Sequence, residues 1–523
     1  MKKELVEKLL REAVKATFQI DTHVELVLSD PRRGDYSSNI SFALAKETGL
    51  TPLKVAEKLT KSIQHAYIEK VEAKAPGFIN ITLSDEYWVQ IWQDISLDYL
   101  KNQLGQGQKV QVEFISANPT GPLTLGNARG GFIGDVLANV LSISGFDVTQ
   151  EYYFNDAGTQ ISKLVESVKA EAGLIKTKDR QYSGAYIKEL TKQFTEEITT
   201  KTDKELGKVL TQAIFEKHIK PAIQKMGIEF NCWFNESDLE KENTETEKLL
   251  RSGDLLYEEE GAIWLKSSSY GDERDRVLVK ANGDRTYLAN DISYHYNIFR
   301  ERKYKNAIKV WGSDHAGQVP SLRLTVDNLF PDVALEFIIV QWVRLIKDGK
   351  EVKISKREGT FITVDELIEE VGSDVARFFM LMRSNDTHMD FDLDLAKEES
   401  QKNPLWYIQY AYVRALSILE QAGASGLKPH NLPKKLTPLE KELGKALAEL
   451  PQLVKRISKT YEVHKLAFWG METAKIFHEF YESERIIDME KVKAEEKLGL
   501  VEKFTVAMGQ YFAAIGIEPR SKM

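Results

Sequence analysis

Within residues 109–155 the hydrophobic period changes twice, and no other stretch restricts the possible folds as much. In KVQVEFIS, Val110, Val112 and Phe114 alternate with Gln111 and Glu113, the period of two expected of a strand. A loop carrying Pro119, Gly121 and Pro122 follows, then apolar residues at helical spacing from about Leu125 to Ser144, and then a second strand-like run, DVTQEYYFN. Two neighbouring strands joined through a helix run parallel, with the helix crossing one face of the sheet. The expectation is an α/β protein whose main domain is a Rossmann-type, doubly wound parallel sheet.

The same reading divides the chain into three. Residues 1–105 are expected to form an α+β domain, with a helix at the start, a polar turn at PRRGDYSS, a second helix around SFALAKETG and a strand at GFINITL. The polar, glycine-containing KNQLGQGQK follows as a linker. The parallel-sheet domain takes residues 106–395, with further strands at AIWLK, RVLVK, AIKVWG and EFIIVQWVRLI. Charged helical sequence such as YIKELTKQFTEEI marks about 160–260 as a helical insertion between halves of that sheet. From about Asn403 the pattern is helical to the end, so residues 396–523 are expected to form an all-helical domain.

Lys and Arg total 71 against 79 Asp and Glu, a net charge of −8, which excludes a chain coated in basic charge and leaves nucleic-acid contact to local patches. One such patch runs from GASGLKPHNLPKK to Lys465, with nine Lys or Arg against four Asp or Glu. A single cysteine, Cys232, can form neither an intramolecular disulfide nor a multi-cysteine zinc site, and fits a reducing cytoplasm. The first residues are charged and amphipathic, unlike a secretory leader, and no apolar run is long enough for a membrane span.

Two loops carry chemistry. In SANPTGPLTLGNARGG, between the first strand and its helix, Gly126, Gly130 and Gly131 would let backbone N–H groups approach phosphate at a helix N-terminus. Thr124 and Asn127, three apart, could donate to the same anion. The alternative is that these glycines serve only close packing of the helix on the sheet. In KDGKEVKISKREGTFITVDEL, Asp348-Gly349 predicts a tight hairpin pairing Val343–Lys347 with Glu351–Lys353, then an exposed loop from Lys353 to Thr360 and a helix capped by Thr363 with Glu366. That loop would present Lys353, Ser355, Lys356 and Arg357 together, able to meet charge on a triphosphate.

The two loops resemble the class I aminoacyl-tRNA synthetase signatures written H-x-G-H and K-M-S-K-S. SANPTGPL, EYYFNDAGTQI, TYLANDISYH, KVWGSDHAG, KISKREGTFITVDELIEEVGSDVARFFML and DFDLDLAKEESQKNPLWYIQYAYVRA, colinear over almost the whole chain, are similar to arginyl-tRNA synthetases. The first 100 residues resemble that family's extra N-terminal domain, and the last 120 its helical anticodon-binding domain.

The resemblance implies an enzyme that activates L-arginine with ATP and esterifies it to tRNA(Arg). It assigns catalysis to Thr124, Asn127, Lys353, Ser355 and Lys356, and ATP binding to Pro122, Leu123, Gly126, Gly312, Asp314, His315 and Ile354. Arginine would meet Glu113, Ser116, Asn118, Tyr287 and Asp291, with Asp291 and Glu113 as charge partners of the guanidinium. tRNA would meet Trp406, Tyr410 and Arg414. Mg2+ would accompany ATP, no structural metal or membrane is expected, and the enzyme would act as a monomer. One departure stands out: the first signature reads TLGN, with Thr124 and Asn127 where the family has histidines. Losing one transition-state donor costs about 2.7–4 kcal/mol, so a catalytically impaired tRNA-binding relative stays open as the alternative. Tryptophanyl enzymes of the same class carry a similar T-x-G-N.

Overall fold

The computed structural model describes residues 2–28, 33–156, 158–176, 181–352 and 362–523. The N-terminal unit opens with helix Lys2–Phe18. Its antiparallel sheet has the order β1-β2-β4-β3, made of Val27–Leu28 (β1), Tyr36–Ser38 (β2), Ile68–Lys74 (β3) and Phe78–Leu83 (β4), with helices Ile40–Thr48 and Pro52–Thr60 between β2 and β3. Helix Asp85–Asp94 follows and docks on the far end of the chain, where Trp92 Nε1 donates to the Glu440 carbonyl at 3.3 Å and Asp85 pairs with Lys441 at 2.6 Å.

The central sheet is built from Lys109–Glu113 (β5), Asp147–Phe154 (β6), Cys232–Asn235 (β7), Asn306–Gly312 and Ala334–Val340. Before the last two come Leu256–Glu259 (β8), Ala262–Leu265 (β9) and Arg276–Val279 (β10), so those two are β11 and β12. The order is β12-β11-β5-β6-β7, every pair parallel. The chain starts in the middle, runs out to β7, and returns to the other side of β5. That reversal opens a crevice above the C-terminal ends of β5 and β11, where doubly wound sheets bind ligands. Helix Leu125–Ile143, mostly apolar, crosses from β5 to β6 and is buried along almost its whole length. A Cβ on Gly134 would stand 2.3 Å from the Phe114 ring, so only glycine lets this helix approach the sheet so closely.

Three sequence expectations are corrected. AIWLK and RVLVK are not strands of the parallel sheet; β8, β9 and β10 form a separate antiparallel sheet, because the connections between them are too short for a parallel crossover. EFIIVQWVRLI is not one strand. It breaks at Gln341-Trp342, and Val343–Lys347 (β13) joins Lys350–Glu351 (β14) and Met389–Asp392 (β15) in a sheet of order β14-β13-β15. The break is fixed by hydrogen bonds: Gln341 N–H donates to Asn385 O at 2.9 Å, and Arg129 donates to Gln341 O at 2.9 Å. The stretch 160–260 is mostly helical but also supplies β7, the edge strand of the main sheet, and β8.

The last part is helical as expected, with helices Pro404–Ala424, Pro438–Thr460, His464–Ser483 and Lys491–Ala514 packed into the same apolar core as the sheet domain. Arg377, fully buried, ties the units together. It pairs with Asp135 on helix Leu125–Ile143 and donates to Met226 O at 3.0 Å and to Ile515 O at 3.4 Å. Among the described residues no helix is long and apolar enough to cross a membrane.

Candidate active site

The first loop leaves β5 through two left-handed residues, Ile115 at φ 66° and Ser116 at φ 37°, a strained turn of the kind concentrated at functional sites. Neighbours hold it in place. Tyr153 N–H donates to Ser116 Oγ at 3.1 Å, Tyr152 hydroxyl to Ala117 O at 2.9 Å, and Tyr186 hydroxyl to Thr120 O at 3.0 Å. Asn118 is exposed on the loop and Pro122 is partly buried. Thr124 is the N-cap of helix Leu125–Ile143. Its N–H and its hydroxyl both donate to Asn127 Oδ1, at 3.0 and 2.8 Å. The pair expected to point two donors at one anion is thus locked together: Thr124 spends its hydroxyl proton on Asn127, and the Asn127 amide NH2 remains as the donor. Gly126 is exposed, and a Cβ there would meet only Thr124 Oγ1 within 4 Å, so its backbone is open to a ligand. Gly131 serves packing instead, since a Cβ would lie 2.8 Å from Met226 and 2.9 Å from Ile115. Gly130 is buried as well.

The second loop begins as expected. Asp348 at φ 51° and Gly349 at φ 67° form the turn of the β13–β14 hairpin, pairing Ile346 with Glu351 and Lys347 with Lys350. Lys353, Ile354, Ser355 and Lys356 lie outside the described residues. Beyond them Thr363 caps helix Val364–Val371, with Glu366 N–H donating to Thr363 Oγ1 at 3.1 Å and Thr363 N–H to Glu366 Oε2 at 2.7 Å. Thr363 forms an antiparallel bridge with Thr124, and Val364 N–H donates to Leu123 O at 3.0 Å. The caps of two helices therefore stand side by side, and helix N-termini favour anions. Leu123 takes part through its carbonyl, for its side chain is buried.

On the other side of the crevice, Tyr287 and Asp291 share a face of helix Tyr287–Tyr296, as their spacing suggested. Tyr287 is 45% exposed. Among the described residues no hydrogen bond or ion pair reaches the Asp291 carboxyl. Burial pushes it up to about 8, the negative charges of Glu113 and Glu236 push the same way, and Lys309 opposes them. Glu113, expected beside Asp291 as a guanidinium partner, is already paired: Lys309, its register neighbour on β11, holds it at 2.6 Å with both side chains buried. Lys309 Nζ also lies 4.2 Å from the centre of the Tyr294 ring and 3.2 Å from Gln111 Oε1.

Sequence reasoning missed Glu236. It follows β7 at the C-terminal edge of the sheet, is 8% exposed, and accepts from Tyr153 hydroxyl at 3.0 Å and Asn290 Nδ2 at 2.8 Å. Burial raises its carboxyl above the usual range. The signal was CWFN, a short aromatic strand hidden among charged helices. Gly312 ends β11, and Asp314 and His315 follow in a 3-10 turn, half exposed, with Asp314 Oδ2 and His315 Nε2 3.6 Å apart.

At this end of the sheet stand a helix-cap pair open at Gly126, a solvent-accessible turn after β11 and, in Asp291, a carboxyl with no hydrogen-bond or ion-pair partner among the described residues. Three family models match the chain: the arginyl tRNA synthetase N terminal domain over residues 3–83, the tRNA synthetases class I (R) catalytic domain over 90–394, and the DALR anticodon binding domain over 408–523. The chain is 38% identical to an arginine–tRNA ligase of Desulfitobacterium hafniense, covering 95% of this chain and 94% of that one. It is 36% identical to an arginine–tRNA ligase of Listeria monocytogenes, covering 99% and 98%. The chain belongs to the arginyl-tRNA synthetases. The fold of this synthetase is similar to that of Thermus thermophilus arginyl-tRNA synthetase, with a TM-score of 0.80 at 19% identity and full coverage of both chains.

In the helical domain of the synthetase, Trp406, Tyr410 and Arg414 fall on one face of helix Pro404–Ala424. All three already have intramolecular partners. Arg520 lies 4.8 Å over the Trp406 ring; Arg414 donates to the Tyr410 hydroxyl and sits 4.3 Å over the Tyr481 ring; Tyr410 stacks on His478 at 5.5 Å. Only part of each ring and of the guanidinium is left for a ligand.

Proposed function

We propose that this synthetase activates L-arginine with ATP in the crevice between β5 and β11 and passes the arginyl group to the 3′-terminal ribose of tRNA(Arg). In the first step a carboxylate oxygen of arginine attacks the α-phosphorus as the bond to the bridging oxygen breaks, and pyrophosphate leaves. In the second, a ribose hydroxyl attacks the carbonyl carbon and AMP leaves; by resemblance it is the 2′-OH. Neither step calls for a side-chain base. Rate comes from holding the reactants in line and from donors and cations aimed at the transferring phosphoryl group.

The observation that carries this reading is the pairing of Leu123-Thr124 with Thr363-Val364. Gly126 N–H and the Asn127 amide are the donors on one side. Lys353, Ser355 and Lys356, with Ile354 in place of the family's methionine, are the groups whose chain re-enters at Thr363. ATP is assigned to Pro122, Leu123, Gly126, Gly312, Asp314 and His315. Mg2+ would come with ATP and neutralise phosphate charge.

For arginine, Asp291 is the charge partner, because it alone of the two expected carboxylates has no ion-pair partner among the described residues. Glu113, neutralised by Lys309, shapes the floor, and Ser116, Asn118 and Tyr287 border the entrance. tRNA is assigned to Trp406, Tyr410 and Arg414. The enzyme is proposed to work in the cytoplasm, in keeping with a lone cysteine, and to act as a monomer. Arginine-dependent ATP–pyrophosphate exchange, with and without tRNA(Arg), tests the proposal. Exchange is expected with tRNA present; none under any condition would leave the non-catalytic tRNA-binding alternative.

A further inference from the structure

Among the described residues three cations are fully buried, Arg129, Lys309 and Arg377. Two of them hold a carboxylate: Lys309 pairs with Glu113, and Arg377 with Asp135. Arg129 does not. Its guanidinium donates to three main-chain carbonyls, Gln341 O and Thr387 O at 2.9 Å and Ser384 O at 2.8 Å, and no carboxylate among the described residues forms an ion pair with it. Its Nε is buried with no hydrogen-bond partner among them. Carbonyl dipoles fix the direction of the group and leave its net charge in place. A buried charge is ordinarily paired, because taking an ion out of water is costly.

Burial pushes the guanidinium down to about 10, with the negative charge of Asp386 opposing, so the group is still a cation at neutral pH. Asp386 is exposed, where water and salt screen its charge. The cation lies close behind the phosphate-facing turn. Arg129 comes three residues after Gly126 on helix Leu125–Ile143, about 4.5 Å further along the axis, and helical side chains lean back toward the N-terminus. Its acceptor Gln341 is the first residue after β12, at the same C-terminal edge of the sheet from which β5 enters that turn. A Cβ on Gly126 would meet no atom of Arg129 within 4 Å, so the guanidinium stands behind the turn and acts through space.

We infer that the phosphates of bound ATP serve as the counter-ion of Arg129, which makes this residue a determinant of nucleotide affinity that never touches the nucleotide. The inference rests on the placement of ATP proposed above and adds a charge to it. Protein between the guanidinium and the turn screens far less than water does, so the attraction carries over a distance at which an exposed pair would feel little. It grows with the negative charge of the ligand and vanishes for a neutral one.

Equilibrium dialysis of the full chain against radiolabelled adenosine, AMP and ATP, without magnesium, tests this, because the three ligands share base and ribose and differ in charge. Arg129→Gln keeps an amide donor for the carbonyls and removes the charge. It should bind adenosine as the native chain does, AMP about 10-fold more weakly and ATP about 100-fold more weakly. Arg129→Lys keeps the charge with fewer hydrogen bonds, and should stay within about fivefold of the native chain for all three ligands. Equal losses for the three ligands in Arg129→Gln would assign Arg129 to packing and overturn the inference, as would a lysine variant weakened as selectively as the glutamine one. Should Arg129→Gln fail to fold, the lysine variant decides: near-native binding of ATP supports the charge, and a large loss of ATP with the charge retained refutes it. A native chain that binds neither adenosine nor ATP would sink the assignment of ATP to this crevice, a result distinct from equal losses in the variants.

Discussion

Val364 N–H donates to Leu123 O at 3.0 Å, and beside that bond Thr363 bridges Thr124. Each threonine caps a helix, so one backbone contact aligns the starts of two helices belonging to distant parts of the sequence. The first helix carries the donors proposed above to face phosphate, and the second follows Lys353–Lys356 in the sequence.

Val364→Pro deletes that hydrogen bond with little harm to its helix, because Val364 is the first helical residue and Thr363, at φ −78° and ψ 163°, already has the extended backbone a following proline requires. The melting temperature should move little. Turnover in pyrophosphate exchange should fall about 5- to 10-fold, as expected for one lost positioning bond of about 1 kcal/mol or slightly more. Equal turnover would mean that the contact does not govern the site.

Asn127→Asp keeps the oxygen that accepts from Thr124 and replaces the amide donor with negative charge. The helix cap should survive, shown by an unchanged melting curve. Loss of a phosphate-facing donor should lower kcat roughly 100- to 1000-fold. A fall in melting temperature with kcat intact would assign Asn127 to the cap alone.

Asp291 gives the arginine step a pH signature. Its carboxyl titrates at about 8 in the free enzyme, and only the carboxylate attracts a guanidinium. The KM for arginine should therefore drop as pH rises toward 8 and level off above it. Asp291→Asn should flatten that profile and raise the KM for arginine by about 100-fold, with a far smaller effect on ATP. Stability follows the opposite sense. Between 3.8 and about 8 the folded chain retains a proton that the unfolded chain gives up, so stability without arginine declines across that window, and Asp291→Asn removes the decline. A KM for arginine that ignores pH would exclude Asp291 as the charge partner.

Lys309 and Glu113 form a buried pair. Lys309→Met leaves Glu113 without its cation and should cost about 3–5 kcal/mol, measured by urea unfolding. Adding Glu113→Gln should recover most of that loss, since the two changes act on one interaction. If the double variant is worse than the single by the full cost of a second lesion, the pair is not the unit described.

Lys356→Ala should lower turnover while leaving the KM for arginine nearly unchanged, since its charge is proposed to act on the phosphoryl group during transfer. A defect confined to arginine affinity would remove the loop from the phosphates.

The fold class, the parallel β-α-β start and the helical end were legible in the residues, because these depend on local hydrophobic period, turn chemistry and capping. The Asp348-Gly349 hairpin and the Thr363–Glu366 cap were legible for the same reason: each is complete within a few neighbouring residues. Colinear family resemblance carried the reading from fold to arginine and tRNA. Strand pairing was settled by long-range packing instead: AIWL and CWFN are equally short runs, yet one joins a side sheet and the other the edge of the main one. It also decided which carboxylate is free. Glu113 and Asp291 look alike as isolated acids, but a buried lysine from β11, brought alongside β5 by a long-range parallel pairing, takes the first as its ion-pair partner, while the second has none among the described residues.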